Sequence, residues 1–281
     1  MAQIVYQSKQ SAGGLASSVT ITKPTSLAVG DLMVAQIAAT ASSTPGITTL
    51  SGWTLVRSDA SSDGTSGTVS SLFWKVATSG DVAATNFTFV TSGTGSCGSI
   101  SRFTEANTTA PTDQSNGNNA TGVTALSTSG ITPTKNTGTF LIFTTSSDNK
   151  SPTVSGYAIA TGNPSWSEAY DDSFGDIGPG SREVIISMAY GSRNTLTATG
   201  NATATLSLSM ATTITQVMNI APADFVPMAG TGTLGVVSIP IVLDSGLALT
   251  GTLGLADATI IEPKWLNTDK NNSTWLNEDK S

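Results

Sequence analysis

The sequence predicts an all-β protein, and three observations lead there. Charged residues make up only 11% of the 281-residue chain, against roughly 25% in an ordinary soluble domain. Ser and Thr fill the gap at about 30%, and Thr suits a pleated, half-wet surface while Ser, Gly, Asn and Pro suit turns. Apolar residues fall in short runs separated by those turn formers, the spacing of strands rather than of helices. The chain is long enough for one large domain or two smaller ones with real cores. The expected architecture is a jelly-roll-like two-sheet sandwich over residues 1–224, a repetitive β-hairpin arm over 225–261, and an extended C-terminal tail over 262–281.

The first strand signal is Val19-Thr20-Ile21-Thr22, closed by Pro24. Asp31 to Ala38 is a nearly continuous apolar run of strand length, which predicts a strand buried on both faces. Trp53-Thr54-Leu55-Val56 follows a glycine, and Ser58 to Gly67 reads as an exposed loop. Ser71 to Ala77, Asn86 to Val90 and Ser99 to Phe103 continue the series, with Trp53 and Trp74 read as core residues. Glu105 to Thr121 is a polar stretch. Strands resume at Thr139 to Thr144, Glu183 to Tyr190, Ala202 to Met210 and Gln216 to Ile220, and Pro222 to Pro227 mark a boundary. No helical stretch of useful length is expected.

Beyond that boundary Gly232-Thr233-Leu234-Gly235-Val236 recurs as Gly251-Thr252-Leu253-Gly254-Leu255. Two such units are too few for a free-standing solenoid, so a pair of arms covered by a neighbour is expected. Trp265-Leu266-Asn267-Thr268-Asp269-Lys270 then recurs as Trp275-Leu276-Asn277-Glu278-Asp279-Lys280. The tryptophans sit in a polar, charged context, so Trp265, Leu266, Asn267, Trp275, Leu276 and Asn277 read as a partner-binding surface.

Several chemistries are excluded. The chain has no histidine, which removes Ser-His-Asp and Cys-His catalysis and the HExxH zinc site. Cys97 is the only cysteine, so no intrachain disulfide can form, and Cys97 reads as a small core or turn residue. A net charge of −7 and a pI near 4.4 argue against a nucleic-acid surface, which needs a basic stripe. The start Met1-Ala2-Gln3-Ile4 lacks the basic, then apolar, pattern of a signal peptide, and no run reaches membrane-spanning length. Synthesis in a cytoplasm without membrane insertion is the expectation.

One cluster remains for chemistry. Glu168, Asp171, Asp172 and Asp176 lie beside Trp166 and Tyr170 in a Gly- and Pro-rich stretch read as a loop. Aromatics beside carboxylates occur in sugar-binding clefts, and acid/base hydrolysis needs two carboxylates at a fixed separation. Oxygen-rich loops also bind hard cations such as calcium. Trp166, Glu168, Tyr170, Asp171 and Asp172 are therefore the candidate glycan or cation loop, with Asp59 and Asp63 a second set. Neither has the ligand spacing of a calcium loop, so no cofactor, metal or catalytic residue is expected.

The series Ile21-Thr22-Lys23-Pro24, Val29 to Ala35, Gly52 to Val56, Leu72 to Ala77, Asn86 to Phe89, Ile100 to Phe103 and Pro111-Thr112-Asp113 resembles the jelly-roll-like domain of tailed-bacteriophage virion proteins, over roughly residues 15 to 224. Phe73-Trp74 stands where that family often has paired tyrosines, and Arg102-Phe103 where it often has Tyr-Arg. The tandem Trp-Leu-Asn-x-Asp-Lys end resembles repeats that close many phage particle proteins. The resemblance implies a non-enzymatic virion structural protein, either a capsid-surface decoration or a minor tail component. Its implied partners are other virion proteins and copies of itself, a trimer being the expected oligomer. A carbohydrate-binding adhesin recognising a host-surface glycan is the alternative expectation, and a polysaccharide-degrading enzyme the remote one.

Overall fold

The computed structural model describes residues 4–134, 138–161, 164–193, 199–223, 241–242 and 248–249. Two compact units divide the chain, Met1–Phe225 and Val226–Ser281. The first unit is almost wholly β. Its strands are β1 (Val5–Gly14), β2 (Ser18–Thr22), β3 (Leu32–Ala41), β4 (Thr54–Ser62), β5 (Gly67–Val76), β6 (Asn86–Val90), β7 (Gly95–Thr104), β8 (Thr112–Ala120), β9 (Val123–Ser127), β10 (Gly138–Asp148), β11 (Val154–Thr161), β12 (Ser167–Gly178), β13 (Arg182–Arg193), β14 (Thr199–Met210) and β15 (Thr212–Ile220). The lone helix among the described residues, α1 (Ser79–Ala83), is one turn fixed by a capping box between Thr78 and Asp81. In the second unit the described pairs are β16 (Ile241–Val242) and β17 (Ala248–Leu249), joined antiparallel within the expected arm.

The expected sandwich is present, and it is present twice. One five-stranded antiparallel sheet has the order β1-β7-β3-β5-β4, and the other, read from its far edge, has the order β8-β15-β10-β13-β12. Each strand of the first therefore has a counterpart at the same place in the second. The outer layers match as well. β2 pairs with β6 as β9 pairs with β14. β11 adds to the free edge of β14, and Gly46 to Thr48 does the same beside β6 through the Ile47–Thr91 bridge and the Thr48 N–H to Val90 carbonyl bond of 2.9 Å.

The bulges confirm the match. Both β1 and β8 bulge near their starts, opposite the Phe103/Arg102 and Ile220/Asn219 steps respectively. Setting Phe103 on Ile220 sets Leu32 on Thr139, and hence Val76 on Ser192. That register sets the Phe73/Leu72 step on the Ala189/Met188 step. There the second pair of bulges falls, in β4 and in β12. Two independent irregularities thus agree on one superposition.

Three cores separate four layers. Met33, Ala35, Ile37, Phe73 and Ile100 pack outward against Val19, Ile21, Phe87 and Phe89, with Trp53 edge-on to both phenylalanines at 5.6 and 5.3 Å. Phe140, Ile142, Ile185 and Val217 pack outward against Val154, Ala202, Ala204 and Leu206. Between the two five-stranded sheets lies a shared core that includes Leu32, Val34, Leu72 and Phe103 on one side and Leu141, Phe143, Met188 and Ile220 on the other. The central strands β3 and β10 are consequently covered on both faces and buried almost end to end, as the apolar run at Asp31 to Ala38 predicts.

Three sequence expectations are corrected. Ser58 to Gly67 is not a loop; β4 runs to Ser62 and only the turn at Asp63 to Ser66 leaves the sheet. The polar stretch Glu105 to Thr121 contains β8, a half-buried edge strand between β4 and β9 whose polar side chains find partners there, as Asn118 does by donating to the Ser127 carbonyl at 2.8 Å. The Gly- and Pro-rich stretch around residues 166–176 is mostly β12, the opposite edge of the same sheet. The short helix α1 had no signal long enough to read.

Candidate functional site

Placing Glu168 to Asp172 on a strand divides the cluster, because successive side chains of a strand point to opposite faces. The β12 bulge lies between Glu168 and Tyr170. Beyond it Tyr170 and Asp172 face the shared core, while Asp171, opposite Ser187 of β13, faces the outer layer.

On the inner side Tyr170 is buried and donates to Gln36 Oε1 at 2.8 Å. Burial raises its phenol well above the usual range, and Asp172 and Tyr6 add to the effect. Lys9 of β1 sits 4.8 Å from the Tyr170 ring centroid and pairs with the Asp172 carboxylate. Tyr6 stacks on Tyr190 at 5.1 Å, and burial, then Tyr190 and Asp172, push its phenol up to about 12. These residues are packing and pairing elements of the seam between the halves. They do not converge on an open cleft with Trp166.

On the outer side the picture differs. Trp166 packs partly buried against the outer core, over Gly191 of β13, where a Cβ would meet its ring at 3.3 Å. Asp171 Oδ2 accepts the Val154 N–H at 2.8 Å. Its Oδ1, the Tyr157 hydroxyl and the Ser187 hydroxyl are all buried, and none makes a hydrogen bond of acceptable length and angle. Burial raises the Asp171 carboxyl, and Asp172 raises it further against the Val154 N–H and Lys9. Glu168 is raised by burial and then by Asp171. The Tyr157 phenol is also raised by burial, opposed by Ser187 and reinforced by both carboxylates. Of the five singled-out residues, Trp166, Glu168 and Asp171 therefore share a side; Tyr157 and Ser187 belong with them and carried no sequence signal. Asp176 is exposed near the end of β12, with a positive φ of 53°.

The second candidate set does not converge. Asp59 is held on the inner face of β4 by Arg57 at 2.6 Å and by Gln216 Nε2 at 2.7 Å. Asp63 sits in the β4–β5 turn, where burial acts to raise its carboxyl. The N–H groups of Thr65 and Ser66, the Thr65 hydroxyl and Arg182 outweigh this and hold it well below the usual range. Arg182 pairs with Asp63 at 2.7 Å and borders a polar cleft of 310 Å³ with Thr65, Asp148, Asn149, Pro179 and Gly180. Among the described residues no group of three or more Asp, Glu or Cys side chains is placed to hold a metal ion.

Cys97 lies fully buried in β7, facing the shared core, where burial raises its thiol far above the usual value. Trp53 is core as expected, and Trp74 packs partly buried at the margin of the shared core. Trp265, Leu266, Asn267, Trp275, Leu276 and Asn277 lie outside the described residues. No helix among the described residues is long and apolar enough to cross a membrane. No family model, no curated protein and no solved structure matches the chain.

Proposed function

We propose that the protein is a non-enzymatic structural component of a bacteriophage particle, a capsid-surface decoration or minor tail component made in the host cytoplasm. In this reading the body stands outward, and residues 225–281 attach it to neighbouring virion proteins or to copies of itself. The observation that carries the reading is that the motif series from Ile21 to Asp113 falls on β2 to β8 in order, the consecutive strands of the first sandwich and the entry to the second. The acidic cluster adds support, since its members are wall residues divided between two faces. Deleting residues 262–281 is expected to abolish incorporation into particles, read by mass spectrometry of purified virions, while circular dichroism of the purified protein stays unchanged. Normal incorporation of the truncated protein would remove the attachment role.

A second reading has its own observation. The Asp171 Oδ1 has no hydrogen-bond donor and lies on the same side as Trp166, Glu168 and the Tyr157 and Ser187 hydroxyls, and hydroxyl-rich ligands satisfy such groups. A host-surface glycan held there makes the protein an adhesin. Glycan-array binding that Trp166→Ala and Tyr157→Phe both abolish supports it, and an array without signal leaves the scaffold role alone.

A further inference from the structure

The two halves do more than share a topology. β1 lies against β12, and β4 lies against β8. Because β12 is the counterpart of β4 and β8 the counterpart of β1, each contact is the mirror of the other in chain order. That reciprocity is the mark of a two-fold, isologous interface, in which the same patch on two partners meets itself. Individual positions keep the relation. Asp59 and Asp172 stand equally far past the matched bulges of β4 and β12, both facing inward. Asp59 is bound across the seam by Gln216, and Asp172 by Lys9.

The seam also has the make-up of a protein–protein interface rather than of a single core. Apolar side chains occupy its middle. A chain of polar contacts runs through it: Gln36 Nε2 to the Thr144 carbonyl at 3.0 Å and to Thr145 Oγ1 at 2.9 Å, Thr145 to Ser70 at 2.9 Å, and Ser70 to Gln216 Oε1 at 3.0 Å. Glycines let the sheets close on each other. A Cβ on Gly95 would lie 1.5 Å from the Ile177 carbonyl oxygen, and one on Gly13 would lie 2.4 Å from the Phe174 ring. Each half meanwhile keeps an apolar core of its own, between its inner and outer sheets.

We propose that the inner face of each half is a docking surface for a second jelly roll of the same topology, so that the chain is a covalently joined dimer whose linking segment, residues 105–111, is dispensable for the association. The proposal is independent of the particle role. The test inserts a specific protease site into the full chain at the exposed residues 108–110 and cuts the folded protein, with cleavage verified on a denaturing gel. The two pieces are expected to co-elute at the volume of the uncut chain at micromolar concentration. Separated in urea and returned singly to buffer, the N-terminal piece is expected to regain buried-Trp53 fluorescence, and the pieces to rebind one to one when mixed. Gly95→Val is expected to weaken rebinding at least tenfold without altering the refolding of the N-terminal piece, because its clash is with Ile177 of the other half. Pieces that part on cutting, an N-terminal piece that refolds only in the presence of the other, or a Gly95→Val chain that rebinds normally would each overturn the proposal.

Discussion

At the scale of the residue, Asp171 is the side chain whose ionisation the fold opposes most plainly. One of its oxygens takes the Val154 N–H, and the other is buried without a donor beside the Glu168 charge. Asp171→Asn retains an acceptor for Val154 and supplies two donors toward Tyr157 and Ser187. It is expected to stabilise the body by about 1 kcal/mol at pH 7, the scale of an unsatisfied buried acceptor. The sign with pH follows from the direction of the shift. A carboxyl raised in the fold destabilises once it ionises and does nothing below its unfolded value, 3.8. The gain should thus be full at pH 7, shrink as pH falls, and vanish near pH 3. Urea unfolding of both proteins at pH 7 and pH 3 measures it. The sequence could suggest that residues 166–172 were special, because acids and aromatics crowd there. It could not divide them, since the division depends on one bulge residue, Ala169, and bulges leave no composition signal here.

At the scale of the element, legibility followed burial. β3 and β10 were readable because strands covered on both faces must be apolar throughout. β6 and β14 were readable because an outer layer alternates, with Phe87 and Phe89 inward and Thr88 outward. β1, β8, β9, β11 and β12 carry no such signal. Each lies at a sheet edge, where residues such as Gln7, Asn118 and Glu168 cost little and discourage further pairing. The short helix α1 illustrates how a small element depends on a single side chain. Asp81 closes the capping box with Thr78 and pairs with Lys75 of β5. Burial acts to raise its carboxyl, but Lys75 and Thr78 hold it lowered. Asp81→Ala removes the cap and leaves Lys75 half-buried without its counter-charge. A loss of about 2 kcal/mol is expected, measured by urea unfolding at pH 7; a change under 0.5 kcal/mol would show that the cap carries no weight.

At the scale of the whole molecule, the duplication was invisible in the residues although the backbone repeats it down to its bulges. Matched positions on β5 and β13 hold Leu72 and Met188, or Trp74 and Tyr190, similar in bulk. Others hold Gln36 on β3 and Phe143 on β10, which share only their direction. What persists between the halves is strand order and register, and neither can be read without pairing partners. The same architecture separates two kinds of core mutation. Leu141→Ala empties part of the shared core, and Phe89→Ala part of the first half's own core. Each is expected to cost about 3 kcal/mol in the intact chain. In the cut protein they should diverge: Leu141→Ala loosens the two pieces from one another, whereas Phe89→Ala unfolds the N-terminal piece alone. Gel filtration and Trp53 fluorescence on the same samples distinguish them.

The hydroxyl and amide groups along the seam bear on how the chain is made. Translation at about 5–20 residues per second leaves the first half outside the ribosome for roughly 6–24 seconds before the second is complete. During that wait the face formed by Val34, Leu72 and Phe103 has nothing to cover it. Ser70, Thr68, Gln36 and Ser101 lie on the same face and can bind water until Gln216, Thr212, Thr145 and Met188 arrive. A nascent half faced only with hydrocarbon would meet its copies on neighbouring ribosomes; this one stays wet until the rest of its own chain displaces the water.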